Sequence, residues 1–112
     1  MDKWQIIFLK DATYEQQIAL SGIPDIATAT EWTVRCAKPQ TAPFLTATIT
    51  NGMIIDTTPP VTGTKILRVP AATTATFPVG NARFDFEVTF PTGIIRRYYE
   101  NGDVQVQPKV GT

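Results

Sequence analysis

Asp85 and Glu87, two carboxylates placed two residues apart, are the side chains of this 112-residue chain best placed for chemistry. On a strand such a pair projects from one face roughly 6.5–7 Å apart, near the carboxyl separation used by glycosidases. The competing reading is the wet face of a half-buried strand, with an arginine across a hairpin as ion-pair partner. The rest of the composition favours that second reading. The chain has no histidine, so the commonest general base and metal ligand is missing. Ser21 and Cys36, the only serine and the only cysteine, have no imidazole to activate them. A zinc site needs several Cys or His ligands, and neither phosphate-cradling glycine motif occurs.

The remaining candidates weaken in the same way. Asp25, Asp56 and Asp103 fall in segments that read as turns, but no Asp-x-Asp-x-Asp ladder groups them for calcium. Cys36 alternates with Trp32 and Val34, the pattern of an inert buried thiol. Trp4, Tyr14, Trp32, Tyr98 and Tyr99 could stack on a sugar, yet aromatics at alternating strand positions usually belong to the core. In Arg96-Arg97-Tyr98-Tyr99, successive strand residues point to opposite faces, so neither pair should form one patch for single-stranded nucleic acid. The expectation is no catalytic residue, no cofactor-binding residue and no metal ligand.

What must position these side chains is a set of short strands. Phe84, Phe86, Val88 and Phe90 alternate with Asp85, Glu87 and Thr89, which predicts a half-buried strand over Ala82–Phe90. Pro91-Thr92-Gly93 and Asn101-Gly102 carry turn chemistry, so Ile94–Glu100 and Val104–Gln107 complete a predicted three-strand meander. A three-residue loop would place Glu87 opposite Arg97. Trp4–Lys10 is apolar on both faces and predicts a strand covered on two sides. Thr13–Leu20, Glu31–Ala37, Phe44–Thr50, Met53–Ile55 and Thr64–Val69 supply further strands. Ser21–Asp25, Lys38–Pro43 and Asp56–Gly63 read as loops, and Asn51-Gly52 as the strongest tight-turn dipeptide. Pro70–Thr76 alone could be helical, for one or two turns.

Eight or nine short strands, one helical turn and no repeat predict an all-β fold. The expected form is an immunoglobulin-like antiparallel β-sandwich in a single domain over residues 1–112. A small barrel shares the same local signature. Eighteen threonines against a single serine suit strands. Ten Lys+Arg balance ten Asp+Glu, without the basic excess of a nucleic-acid binder or a polybasic membrane segment. One cysteine excludes an internal disulfide framework. The start of the chain has neither a signal peptide nor a membrane span, so synthesis in the cytosol is expected.

The order of the segments resembles a family of small bacteriophage tail and baseplate proteins related to the N-terminal domain of baseplate upper proteins. In that family an N-terminal strand meets a Gly-Asp-Thr-Phe-like corner, matched here by Lys10-Asp11-Ala12-Thr13-Tyr14 without the glycine. A Gly-x-Pro-Ile-Asp-Leu-like loop is matched by Gly22-Ile23-Pro24-Asp25-Ile26, and a V-R strand by Trp32-Thr33-Val34-Arg35-Cys36-Ala37. Later come Pro70-Ala71-Ala72-Thr73-Thr74, Gly80, Phe84-Asp85-Phe86-Glu87-Val88 and Pro91-Thr92-Gly93. Arg96-Arg97-Tyr98-Tyr99-Glu100 and Gly102-Asp103-Val104-Gln105-Val106 close the series, with Asn101 as an extra residue before Gly102. The match spans nearly the whole chain and is best from Pro70 onward. It implies an immunoglobulin-like sandwich serving as a non-enzymatic structural or adaptor part of a phage or prophage tail. Its partners would be other tail or baseplate proteins or further copies of itself, with no nucleic acid and no membrane. Its place would be the virion, after synthesis in the host cytoplasm. The alternative is a carbohydrate-binding sandwich module for host recognition, which requires two aromatics on one exposed face.

Overall fold

The apolar face of Phe84, Phe86 and Val88 has to be covered, and the fold does this by placing their strand at the middle of a sheet. The computed structural model describes residues 4–108. In chain order it contains β1 (Ile6–Leu9), β2 (Tyr14–Ala19), a 3-10 turn (Ile26–Thr28), β3 (Glu31–Ala37), β4 (Leu45–Thr48) and β5 (Ile54–Val61). Then follow β6 (Thr64–Val69), a helical turn α1 (Ala71–Thr74), β7 (Gly80–Thr89) and β8 (Ile95–Gln107). One sheet has the order β1-β8-β7-β3-β4, and the other β2-β6-β5. A single apolar cluster joins them: Ile6, Phe8, Trp32, Val34, Phe84, Phe86 and Val104 from the larger sheet, Ile18, Ile54, Leu67 and Val69 from the smaller. The fold is an all-β sandwich.

At the centre of that cluster the aromatic rings meet edge to face. Trp4 lies 4.7 Å from Phe84 and 5.2 Å from Tyr99, centroid to centroid, and Phe8 lies 4.9 Å from both Tyr14 and Phe77. Such pairs add to the area they bury because the positive ring edge meets a negative ring face. The helical turn stays short because Phe77-Pro78 interrupts it, yet it is anchored: the buried Thr74 hydroxyl donates to the carbonyl of Ala12 at 2.9 Å. At the corner after β1, Asp11 takes a left-handed φ of 66°. Aspartate is among the few residues that tolerate this.

Four expectations change. The sandwich is not wholly antiparallel, since β1 pairs with β8 in parallel, Ile6 beside Val104 and Leu9 beside Gln107. The chain leaves β1 for the other sheet, so no hairpin can join these two strands. β1 is covered on one side only: Ile6 and Phe8 are fully buried, whereas Ile7 is 41% exposed and Leu9 50%.

Asn101-Gly102 does not reverse the chain. Both flanks pair with β7, so β8 is one continuous thirteen-residue strand. The left-handed φ of 56° at Asn101 serves a bulge instead. Between the Phe86–Tyr99 and Phe84–Gly102 pairs, two residues of β8 (Glu100 and Asn101) face one of β7 (Asp85), and Tyr98 is a second extra residue between Tyr99 and Arg97.

Asp56–Gly63 is not simply a loop. Most of it belongs to β5, with Thr57–Pro60 forming a wide bulge between the Asp56–Lys65 and Val61–Thr64 pairs. Asn51-Gly52 does form a turn, but it carries the chain from β4 in one sheet to β5 in the other. Side chains hold that corner. Asn51 Oδ1 accepts from the backbone of Thr48 and Met53, and Asn51 Nδ2 donates to the carbonyl of Thr46. Glu31 accepts from the backbone of Ile49 at 2.6 Å, the backbone of Trp32 at 3.1 Å, and the Thr50 hydroxyl. Burial alone would raise the Glu31 carboxyl, but these donors outweigh it and hold the group below its ordinary 4.5.

This packing generates two predictions. A methyl group at Gly102 would run into the Phe84 ring, in the most crowded part of the core. Gly102→Ala should therefore lower unfolding stability by about 1–3 kcal/mol in a urea titration. Glu31→Gln should lower stability near neutral pH by about 1–2 kcal/mol, the worth of charge-assisted bonds over neutral ones. Because the folded-state value is depressed, the stability that Glu31 adds is complete above 4.5 and is lost as pH falls through the folded value. Melts of the two proteins should accordingly converge in acid.

Candidate functional site

The face most able to do chemistry is the outer face of the larger sheet, where the polar alternates of β3, β7 and β8 line up. β7 places Arg83, Asp85 and Glu87 there, β3 places Arg35, and β8 places Arg97 and Asp103. The Pro91-Thr92-Gly93 loop fixes the register. Phe90 N–H donates to the Ile94 carbonyl, Gly93 takes a φ of 84°, and Glu87 comes opposite Arg97, as a three-residue loop requires.

The carboxylates of this face are all engaged. Glu87, with its side chain only 11% exposed, is paired with Arg35 and lies 3.6 Å from Arg97, which also reaches Glu100 at 3.5 Å. Asp85 Oδ1 accepts from the backbone of Asn101 at 3.1 Å, and Arg83 pairs with Asp103. Asp85 thus braces the β8 bulge, and Glu87 neutralises two arginines across three strands. Exposed pairs of this kind are individually worth little, but Glu87 is nearly enclosed, and removing it would leave Arg35 and Arg97 facing each other.

Two shallow depressions lie on this face and share Pro39 and Arg83. One, of about 360 Å³, is lined by Gln5, Asn81, Asp103 and Gln105, and the other, of about 420 Å³, by Arg35, Lys38, Asp85 and Asn101. The aromatic lining residue of the second, Phe84, is buried in the core and presents no open ring face. All eleven aromatic residues lie among the described residues, and none is exposed. Trp32 is fully buried, Trp4 and Tyr14 face the core, and Tyr98 and Tyr99 both pack against it. The expectation that Tyr98 and Tyr99 part to opposite faces fails because the extra residue at Tyr98 breaks the two-residue period. Arg96 and Arg97 do diverge: Arg97 joins Glu87, and Arg96 lies over the Phe90 ring at 5.7 Å.

The calcium candidates do not converge. Asp56 pairs with Lys65 on one strand ladder, Asp103 with Arg83 on another, and Asp25 precedes the 3-10 turn. Asp56 and Asp103 sit in strands rather than turns. Among the described residues no three His, Cys, Asp or Glu side chains group to hold a metal ion. No described helix is long and apolar enough to cross a membrane.

Sequence reasoning missed Glu31 and Asn51, whose side chains fasten the sheet-to-sheet corner. Thr48 and Asn51 are three apart and bond reciprocally, backbone to side chain, which is a readable local signal. The reach of Glu31 to residues eighteen and nineteen positions away has no local signal.

Cys36 is fully buried, and burial, with a smaller contribution from the charge of Asp85, pushes its thiol up to about 12. A thiol reagent at pH 8 should leave the native protein unlabelled and react stoichiometrically once it is unfolded in urea. Native labelling as fast as that of a free thiol would contradict the packing described.

No protein-family model matches the chain, and no curated protein matches it.

Proposed function

We propose that this sandwich is a non-enzymatic structural or adaptor component of a phage or prophage tail, working through protein–protein contacts in the assembled virion after synthesis in the host cytoplasm. The observation that carries a contact role is the state of the outer charged face. Its carboxylates are spent on arginines and on the β8 backbone, and its depressions are open and shallow. A catalytic acid or base has to keep a lone pair or proton free for substrate, and here the geometry commits them to holding strands together.

The tail assignment rests on the ordered resemblance, and the local shapes of its motifs agree with it. Pro70-Ala71-Ala72-Thr73-Thr74 is a helical turn. Pro91-Thr92-Gly93 is the loop of a hairpin, and Trp32–Ala37 is a strand. The sugar-binding alternative required two aromatics on one exposed face, and the aromatics are turned inward.

The test is to tag the chain in the phage or prophage that encodes it, induce particles and purify them. The chain should band with intact tails, and the tail or baseplate proteins encoded beside it should co-purify with the isolated domain. Deletion should yield defective tails. Purified particles lacking the chain, together with normal tails after deletion, would refute the assignment.

A further inference from the structure

Each sheet of the sandwich has two outer strands, and four edges are exposed to new strand pairing unless something blocks them. Two are blocked by their own residues, and a third in part. On β4 the Asn51 side chain occupies the outward carbonyl of Thr46 and the outward N–H of Thr48. On β5 the bulge contains Pro59 and Pro60, neither of which has an N–H to give. On β2 the Gln16 amide donates to the Gln17 carbonyl, and Glu15 is tied to Arg68 at 2.7 Å.

β1 is different. Lys10 N–H donates to the Gln107 carbonyl, which with the parallel register turns the backbone groups of Ile6 and Phe8 toward β8. Those of Ile7 and Leu9 turn the other way, to the free edge. Among the described residues the carbonyl of Leu9 meets Ala12 N–H in the corner, and the other outward groups of Ile7 and Leu9 have no backbone partner. The side chains of Ile7 and Leu9 are also the exposed apolar ones on this strand.

We propose that β1 pairs with β1 of a second copy, antiparallel about a two-fold axis at Ile7, joining two five-stranded sheets into one of ten strands. The inference rests on the reading above that the domain works by protein contact, and it names the edge and the partner. The argument for a second copy is charge. A two-fold axis sets the same strip of each copy against the other, so a strip of one charge sign would repel itself. The strip beside this edge carries no unpaired charge: Gln5 precedes β1, Ile7 and Leu9 lie on it, Gln105 and Gln107 lie beside them on β8, Asn81 is next to Gln105 on β7, and Asp103 is paired with Arg83. In the register centred on Ile7, its N–H and carbonyl exchange hydrogen bonds with those of its image, and Gln5 pairs with Leu9 on either side. The four aliphatic side chains then cluster on one face. An edge of this length buries less than the roughly 1,200 Å² of a standard interface, so the dimer should form and dissociate with concentration.

The test uses the full chain in sedimentation equilibrium, with Ile7→Lys and Ile7→Glu variants. Ile7 points to solvent, so both variants should keep the parent's melting curve. The parent should double its mass as concentration rises. Each variant alone should weaken association at least tenfold. An equal mixture of the two should restore dimers, because only contact at the axis sets the introduced ammonium beside the introduced carboxylate. A parent that stays monomeric to millimolar concentration overturns the proposal, as do variants that dimerise like the parent or a mixture that stays monomeric. A monomer that still co-purifies with intact tails would overturn the pairing of β1 with its own copy and leave the tail assignment standing.

Discussion

The interaction on which the rest of this fold depends is the packing of the central strand β7 between β8 and β3. Its backbone is paired on both sides, so its side chains have only the two faces of the sheet to occupy. Phe84 and Phe86 go to the inner face, where Trp4, Tyr99 and Trp32 gather around them. Burying an aromatic ring is worth a few kcal/mol, so a one-residue slip that exchanged these rings for Asp85 and Glu87 would be prohibitive. The bulges of β8 follow from the same demand. Gly102 must lie beneath the Phe84 ring, while Arg97 must reach Glu87 on the outer face. Two extra residues let one strand satisfy both.

That constraint also explains what can be read from the residues. Where alternation and a tight loop coincide, the reading is sharp: β3 and β6 begin and end as their periodicity predicts, and the pairing of Glu87 with Arg97 follows from loop length alone. Where the same local chemistry serves two purposes, it is not. Asn-Gly supplies left-handed backbone, and this chain uses it once to pass between sheets and once to bulge a strand that runs on. Prolines argue against a strand, yet Pro59 and Pro60 lie within β5, where an edge makes their missing N–H harmless. The parallel pairing of β1 with β8 joins the two ends of the described chain, and no short-range pattern encodes a contact of that separation.

Of the candidate site, the placement of Asp85 and Glu87 on one strand face is legible in their spacing. Lack of histidine removes the usual proton-transfer group, and the carboxylates then have to find structural work. The structure shows what that work is. Asp85 fixes a bulge, Glu87 ties β7 to both neighbours, and Glu31 joins the ends of two strands at a corner. The tie of Glu87 to Arg35 and the reach of Glu31 to Ile49 both depend on distant pairings that sequence spacing could not reveal.

Charge used in this way limits what the surface can recognise. A face whose ions are already paired offers a partner little electrostatic attraction, and one with no exposed aromatic ring offers little to stack on. What else distinguishes one part of the exterior from another is its exposed aliphatic side chains, among them Ile7, Leu9, Val61, Val79, Ile94 and Ile95, and the backbone at the strand edges. Exposed edges pair indiscriminately unless they are obstructed, and here a side-chain amide and a pair of prolines obstruct two of the four, while a second amide takes one carbonyl of a third. Leaving β1 open beside Ile7 and Leu9 then has a directional consequence. If that edge pairs with its own copy about a two-fold axis, the edge is used up on both chains, so the pairing closes at two and does not propagate as a fibre.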